Sequence, residues 1–142
     1  MRYSHLLVSV AVSPESYHLL AKAVAIARPY QAKITVVTLG AEPEMYNQLA
    51  APMLEDIRGV LQEETQTFLN ELVAQAEYPL TRAVIATGEL SEYILDICEK
   101  QQVDLVVCGN HNQNFFSRTT CSAKKIVSST KVDVLLIPLG GL

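Results

Sequence analysis

The sequence predicts an α/β fold, a single-domain open parallel sheet of five strands, doubly wound with helices on both faces. Three observations predict it. Five short runs rich in Val, Ile and Leu alternate with amphipathic helical patterns along the whole chain, and that alternation is the mark of a parallel sheet with right-handed crossovers. The runs are almost continuously apolar rather than alternating, as strands covered on both faces require. The stretch from Val103 to Leu139 reads strand, loop, helix, strand, a βαβ unit whose loop lies over the carboxyl end of the sheet, where ligands usually bind.

Taken in order, Tyr3 to Val12 is the first strand, carried by Leu6, Leu7, Val8, Val10 and Val12. Ser13 and Pro14 start a helix, because a Ser hydroxyl accepts an orphan amide bond and Pro presets φ in the first turn. Leu19, Leu20, Ala23, Val24, Ile26 and Ala27 form its buried stripe, and Arg28-Pro29 ends it. Ala32 to Leu39 is the second strand, and Gly40 to Pro52, with two prolines, is a connecting loop. The second helix follows, with Leu54, Ile57, Leu61, Phe68 and Leu72 on one face and Glu55, Glu63, Glu64 and Glu71 on the others, until Tyr78-Pro79 closes it. Leu80 to Ala86 is the third strand, Thr87-Gly88-Glu89 a turn, and Leu90, Tyr93, Ile94 and Ile97 the apolar face of the third helix. Val103 to Val107 is the fourth strand, ended by Cys108-Gly109; Ala123, Ile126 and Val127 mark a short fourth helix, and Val132 to Ile137 the fifth strand, closed by Pro138. Pattern alone leaves the strand order open. The order taken is 3-2-1-4-5, with the switch point between the first and fourth strands.

The chain has 142 residues, which fits one domain over 1–142 with a substantial core. With 49% hydrophobic and 18% charged residues it is globular rather than disordered. A net charge of −4 argues against a nucleic-acid binder, since no basic excess exists to neutralise phosphates. Arg118, Lys124, Lys125 and Lys131 cluster without an acid until Asp133, which reads first as a solvated basic face. Cys98, Cys108 and Cys121 are odd in number and lack CxxC spacing, so neither a disulfide framework nor a zinc site is expected. His5 and His18 have no ligand cluster around them, and no metal is expected. The start of the chain shows no charged-then-apolar leader, and no apolar run approaches the roughly 20 residues of a membrane span. The expected location is cytoplasmic, with no membrane partner.

Several features together resemble the universal stress protein family over essentially the whole chain. They are Val8 to Ser16 (VSVAVSPES), Gly88 before the third helix, Asp104 to Gly109 (DLVVCG) and Val134 to Pro138 (VLLIP). Gly109 to Ser117 with Ser122-Ala123 is more similar to the enterobacterial A/C/D-type members than to the nucleotide-binding branch. The resemblance implies the fold shared with adenine nucleotide alpha hydrolases, and roles in surviving starvation, oxidative or DNA-damaging stress. Members that hold ATP carry Gly-x-x-Gly, a spacer, then Gly followed by Ser or Thr. Here the first glycine is Gly109, but the later positions fall on Asn112, Ser122 and Ala123. Glycines serve in such loops because backbone amides must approach the anion without a side chain in the way. Ser122 places a hydroxyl one residue early, and one residue rotates a helical side chain by roughly 100°. The family's acidic residue at the mouth of the nucleotide site is Ala11 here. The implied reading is a degenerate site without ATP or any other cofactor.

Other residues admit two readings. His111 in the loop is a phosphoacceptor or general base, or an ordinary surface histidine. Phe115 and Phe116 either fold inward and plug the vacated crevice or stand out as a docking patch. Ser117, Thr119, Thr120 and Ser122 beside Arg118 and Lys124 either accept a phosphate or bind an anion at a helix start, or simply cap that helix and solvate the loop. Cys121 is an oxidisable thiol if exposed. Val132, Val134, Leu135, Leu136 and Ile137 make both faces of an edge strand apolar, which in isolation aggregates; pairing with a second copy covers it, and resembling family members dimerise through this strand.

The expectation is a homodimer through the fifth strand that works by protein contact and is not an enzyme. Exchange of subunits with related stress proteins and contact with a stress-signalling protein are further expectations. The alternative is a nucleotide-dependent switch or weak ATPase using Gly109, the fourth helix and Lys124 or Lys125. An enzyme on another substrate is a third reading, but no paired acid and base or activated nucleophile is visible.

Overall fold

A computed structural model describes residues 3–10, 14–39, 51–86, 90–110 and 132–138. The elements are β1 (His5–Val10), α1 (Glu15–Ala27), a single 3-10 turn (Arg28–Tyr30), β2 (Lys33–Leu39), α2 (Ala51–Gln75), β3 (Arg82–Ala86), α3 (Leu90–Gln101), β4 (Leu105–Asn110) and β5 (Asp133–Pro138). All strand pairs are parallel, and the order is β3-β2-β1-β4-β5, as expected from the sequence. The expected fourth helix at Ala123, Ile126 and Val127 lies outside the described residues.

β1 is buried along its whole length. Its even-numbered side chains Leu6, Val8 and Val10 join Leu19, Leu20, Ala23, Val24, Leu69 and Leu72 of α1 and α2 in one core. Leu7 points the other way, to Val37, Val106, Cys108 and the α3 residues Ile94, Ile97 and Cys98. Among the described residues two helices therefore cover one face and α3 the other, and the central strand has no solvent-facing side.

Local chemistry moved several boundaries. Pro14 already has helical dihedrals (φ −59°, ψ −27°) and its carbonyl accepts from Tyr17 N, so the preset proline lies in the first turn of the helix, while Ser13, the expected cap, lies outside the described residues. Ser16 replaces Ile26 in the buried stripe of α1. α2 takes in Pro52, which the sequence assigned to the loop; in the first turn its missing N–H breaks no helical bond. Leu69, not anticipated, is buried beside Leu72, with Phe68 half-buried against the Tyr17 ring at 5.9 Å between centroids. The side chains of Leu54, Ile57 and Leu61 fall outside the described set.

Each described helix end is closed by a residue in the left-handed region: Gln31 (φ 54°) after the 3-10 turn, Glu77 (φ 51°) after α2 and Gln102 (φ 56°) after α3. Ala32 N then donates to Ala27 O at 3.1 Å and Val103 N to Cys98 O at 3.1 Å, the six-to-one bond that consumes orphan carbonyls at a helix end. These caps turn the chain from α1 into β2 and from α3 into β4.

Candidate functional site

The sheet reverses its winding between β1 and β4, whose register runs from Leu6↔Leu105 to Ser9↔Cys108. Ligand crevices in such sheets lie outside the carboxyl ends of the strands at this point. Gly109, expected to open the loop, is instead a buried strand residue paired with Ile137, and β4 continues to Asn110 opposite Pro138. The reason is β5, which offers a partner strand for two residues beyond the apolar run. Of the residues compared with the phosphate motif, Gly109 is thus held in the sheet. Ala11, His111, Asn112, Phe115, Phe116, Ser122 and Ala123, with Cys121, lie outside the described residues.

Just below the switch point, Ser9 is 1% exposed and its Oγ has no hydrogen-bond partner among the described residues. Its neighbour Cys108 is likewise enclosed, and burial pushes the thiol up to about 12, while burial takes Cys98 to about 11. Such thiols are not nucleophiles at neutral pH. No group of three or more His, Cys, Asp or Glu able to hold a metal occurs among the described residues.

The polar construction is at the opposite pole, where the strands begin. Asp104 precedes β4 and its carboxylate accepts from Ser4 N at 2.9 Å, Ser4 Oγ at 3.0 Å and His5 N at 3.0 Å. Partial burial alone pushes its carboxyl up, but the bonds from Ser4 and His5 outweigh that and hold it below its ordinary value. His5 is buried; Nδ1 faces the Gln101 carbonyl at 3.1 Å and Nε2 meets Thr35 Oγ1 at 2.8 Å. A carbonyl only accepts, so neutral His5 donates from Nδ1 to Gln101 O, and its Nε2 accepts a hydrogen bond from the Thr35 hydroxyl. β1, β2, the end of α3 and the start of β4 are tied by these groups. Sequence pattern placed Asp104 inside an apolar strand and gave no sign of this bracket; its spacing of one residue before Leu105 was the available signal.

The remaining candidate is β5. It is the sheet edge, and Leu135 and Leu136 are 36% and 45% exposed on opposite faces. Val132 and Val134 pack against the α3 side and Ile137 is buried on the other. Asp133 is held from outside by the Tyr3 hydroxyl, which donates to Oδ2 at 2.9 Å.

A protein-family model, described as the universal stress protein family, matches residues 2–138. The chain belongs to the universal stress protein family. Universal stress protein C of Escherichia coli K12 is 61% identical over 141 residues, 99% of both chains. Universal stress protein A of the same strain is 39% identical over 140 residues, 98% of this chain and 96% of that one. Among solved structures, universal stress protein UspA from Lactobacillus plantarum superposes with a TM-score of 0.71 at 19% identity, covering 96% of this chain and 99% of that one. The Archaeoglobus fulgidus universal stress protein in complex with dAMP gives 0.63 at 18% identity, covering 96% and 99%. These two likenesses carry the universal stress protein fold and no more. No described helix of this universal stress protein is long and apolar enough to cross a membrane.

Proposed function

We propose that this universal stress protein acts in resistance to starvation, oxidative or DNA-damaging stress as a cytoplasmic homodimer that works by protein contact, without ATP and without catalysis. The observation that carries this reading is β5: an edge strand with Leu135 and Leu136 exposed on its two faces. An edge of this kind is a template for strand addition, and a second copy covers it most economically. The stress role is supported by the names of the relatives, and the absence of ATP by Ala11, Asn112, Ser122 and Ala123 standing where the resembling nucleotide-binding members carry their motif residues. Because β5 pairs through backbone groups, subunit exchange with a related stress protein and capture of a stress-signalling protein belong to the same reading.

A nucleotide-dependent switch or weak ATPase is the second reading, favoured by one observation: a fold neighbour, the Archaeoglobus fulgidus protein, is a dAMP complex. Calorimetric titration of ATP with magnesium, and of dAMP, separates the two. No heat, together with a dimer in light scattering at micromolar concentration, is the expected result. Saturable micromolar binding makes the nucleotide switch the better account, and a monomer removes the dimer.

A further inference from the structure

α1 and α2 lie side by side on one face of the sheet and are pinned together at two places. At one, the Tyr17 and Phe68 rings meet edge to face, 5.9 Å between centroids. At the other, Arg28 Nη2 donates to the Glu77 carbonyl at 3.4 Å, and the guanidinium stands 5.6 Å from the centre of the Tyr78 ring. Tyr17 and Arg28 are eleven residues apart, a helical rise of about 16 Å.

Between these pins the helices do not close. Tyr17, Leu20, Ala21, Val24, Ala25 and Arg28 recur at steps of three and one, so they form a single stripe down α1. Leu72, Gln75 and Ala76 face them from the end of α2, and the trough so bounded has a volume of about 330 Å³. Leu20, Val24 and Leu72 are buried and make its floor. Ala21 and Ala25 are exposed and Ala76 half-buried; their single methyl groups leave the gap that longer side chains fill in a close-packed helix pair.

The lining is apolar in the middle and polar at the Arg28 end, where Gln75 comes two residues before Glu77. Arg28 is the charged member of the lining, and the carboxylates of Glu71 and Glu77 are not part of it. Among the described residues Arg28 pairs with no carboxylate. Its bond to Glu77 uses one of the five N–H donors of a guanidinium, whose fork matches a carboxylate. Held against Tyr78, the fork loses little freedom when it takes a ligand. The volume is at the small end of ligand pockets, about 300–1,000 Å³. A partner helix about 10–12 Å across exceeds it within one turn of about 5.4 Å, so the size fits a small molecule.

We propose that this trough binds a small amphipathic carboxylate, an alkyl acid of medium length, with its chain over Leu20, Val24 and Leu72 and its carboxylate on the Arg28 guanidinium. Neither β5 nor the carboxyl ends of the strands contribute a lining residue, so the site is separate from both. The trough is open along one side, and binding therefore draws on head and tail together.

The test is titration of the full ¹⁵N-labelled chain with octanoate, followed by amide chemical shifts. The expected result is saturable shifts at Ala21, Ala25 and Ala76, with binding at least tenfold weaker for acetate, which lacks the tail, and for 1-octanol, which lacks the charge. Arg28→Gln should weaken octanoate at least tenfold, and Arg28→Lys by less, because the charge survives without the fork. Ala25→Phe fills the trough from an exposed position and should abolish the shifts while circular dichroism is unchanged; it decides the matter even where Arg28→Gln unfolds the chain by losing Tyr78. No saturable shift, full binding by a folded Arg28→Gln variant, or shifts that survive Ala25→Phe each overturns the site. Binding to anionic phospholipid vesicles without any octanoate shift overturns it too, and makes Arg28 part of a membrane contact.

Discussion

Asp104 and Ser9 are two described side chains whose polar atoms bear on stability, and they act in opposite directions. Asp104 joins the starts of β1 and β4 through bonds from Ser4 and His5, and those bonds favour its charged form. Since its folded-state value lies below the unfolded one, the contribution is present above the ordinary carboxylate range near 3.9. It is lost as pH falls through the folded value. Urea unfolding from pH 6 down to pH 2.5 should show this loss, and Asp104→Asn should flatten the profile and cost about 1–2 kcal/mol at pH 7. A variant as stable as the parent at both pH values would refute the bracket. Ser9 is the reverse case, a hydroxyl enclosed without a partner. Ser9→Ala should stabilise the fold by about 1 kcal/mol, read as a raised midpoint in thermal unfolding; a lowered midpoint would mean that the hydroxyl is satisfied. Neither role was legible beforehand. A serine in a strand run and an aspartate ahead of one look alike on paper whether paired or not, because partners come from strands about 100 residues apart in sequence, as with Ser4 and Asp104.

Among the elements, the helix ends differ most from what composition suggests, because glutamine and glutamate hold the left-handed positions that glycine usually fills. A side chain at that conformation costs roughly 1 kcal/mol relative to glycine. Gln31→Gly and Gln102→Gly should therefore each raise stability by about 0.5–1 kcal/mol in denaturant unfolding, with no change of slope. Destabilisation by either would show that the glutamine side chain makes a compensating contact. The strands themselves were read well from sequence, since five apolar runs of the right length had no other use in a chain of this size. Their ends were not. Gly109 and Asn110 belong to β4 because β5 supplies partners for them, and Leu69 is buried with Leu72 in the core that α1 and α2 share. Of the positions compared with a nucleotide motif, Gly109 alone falls among the described residues.

For the whole molecule, the exposed edge is the property with a measurable consequence. Leu136→Lys puts a charge on each copy beside the pairing strand and removes apolar burial worth about 1 kcal/mol or more per side. The proposed β5 dimer should weaken at least tenfold, so that light scattering at low micromolar concentration reports monomer while circular dichroism is unchanged. An unshifted dimer would move the interface away from β5. The opposite edge is formed by β3, where Arg82 and Ala83 are exposed, and a charged residue there discourages extension of the sheet.

The placement of β1 at the centre of the sheet also governs how the chain can be made. β1 finds β2 soon after it is synthesised, but its second neighbour, β4, begins at Leu105, opposite Leu6. At about 5–20 residues per second on the ribosome, the strand that ends up buried along its whole length spends roughly 5–20 seconds with one side unpaired. During that interval the nascent chain, not the finished protein, presents the greater hazard of wrong association, and a message truncated before Leu105 would leave the hazard permanent.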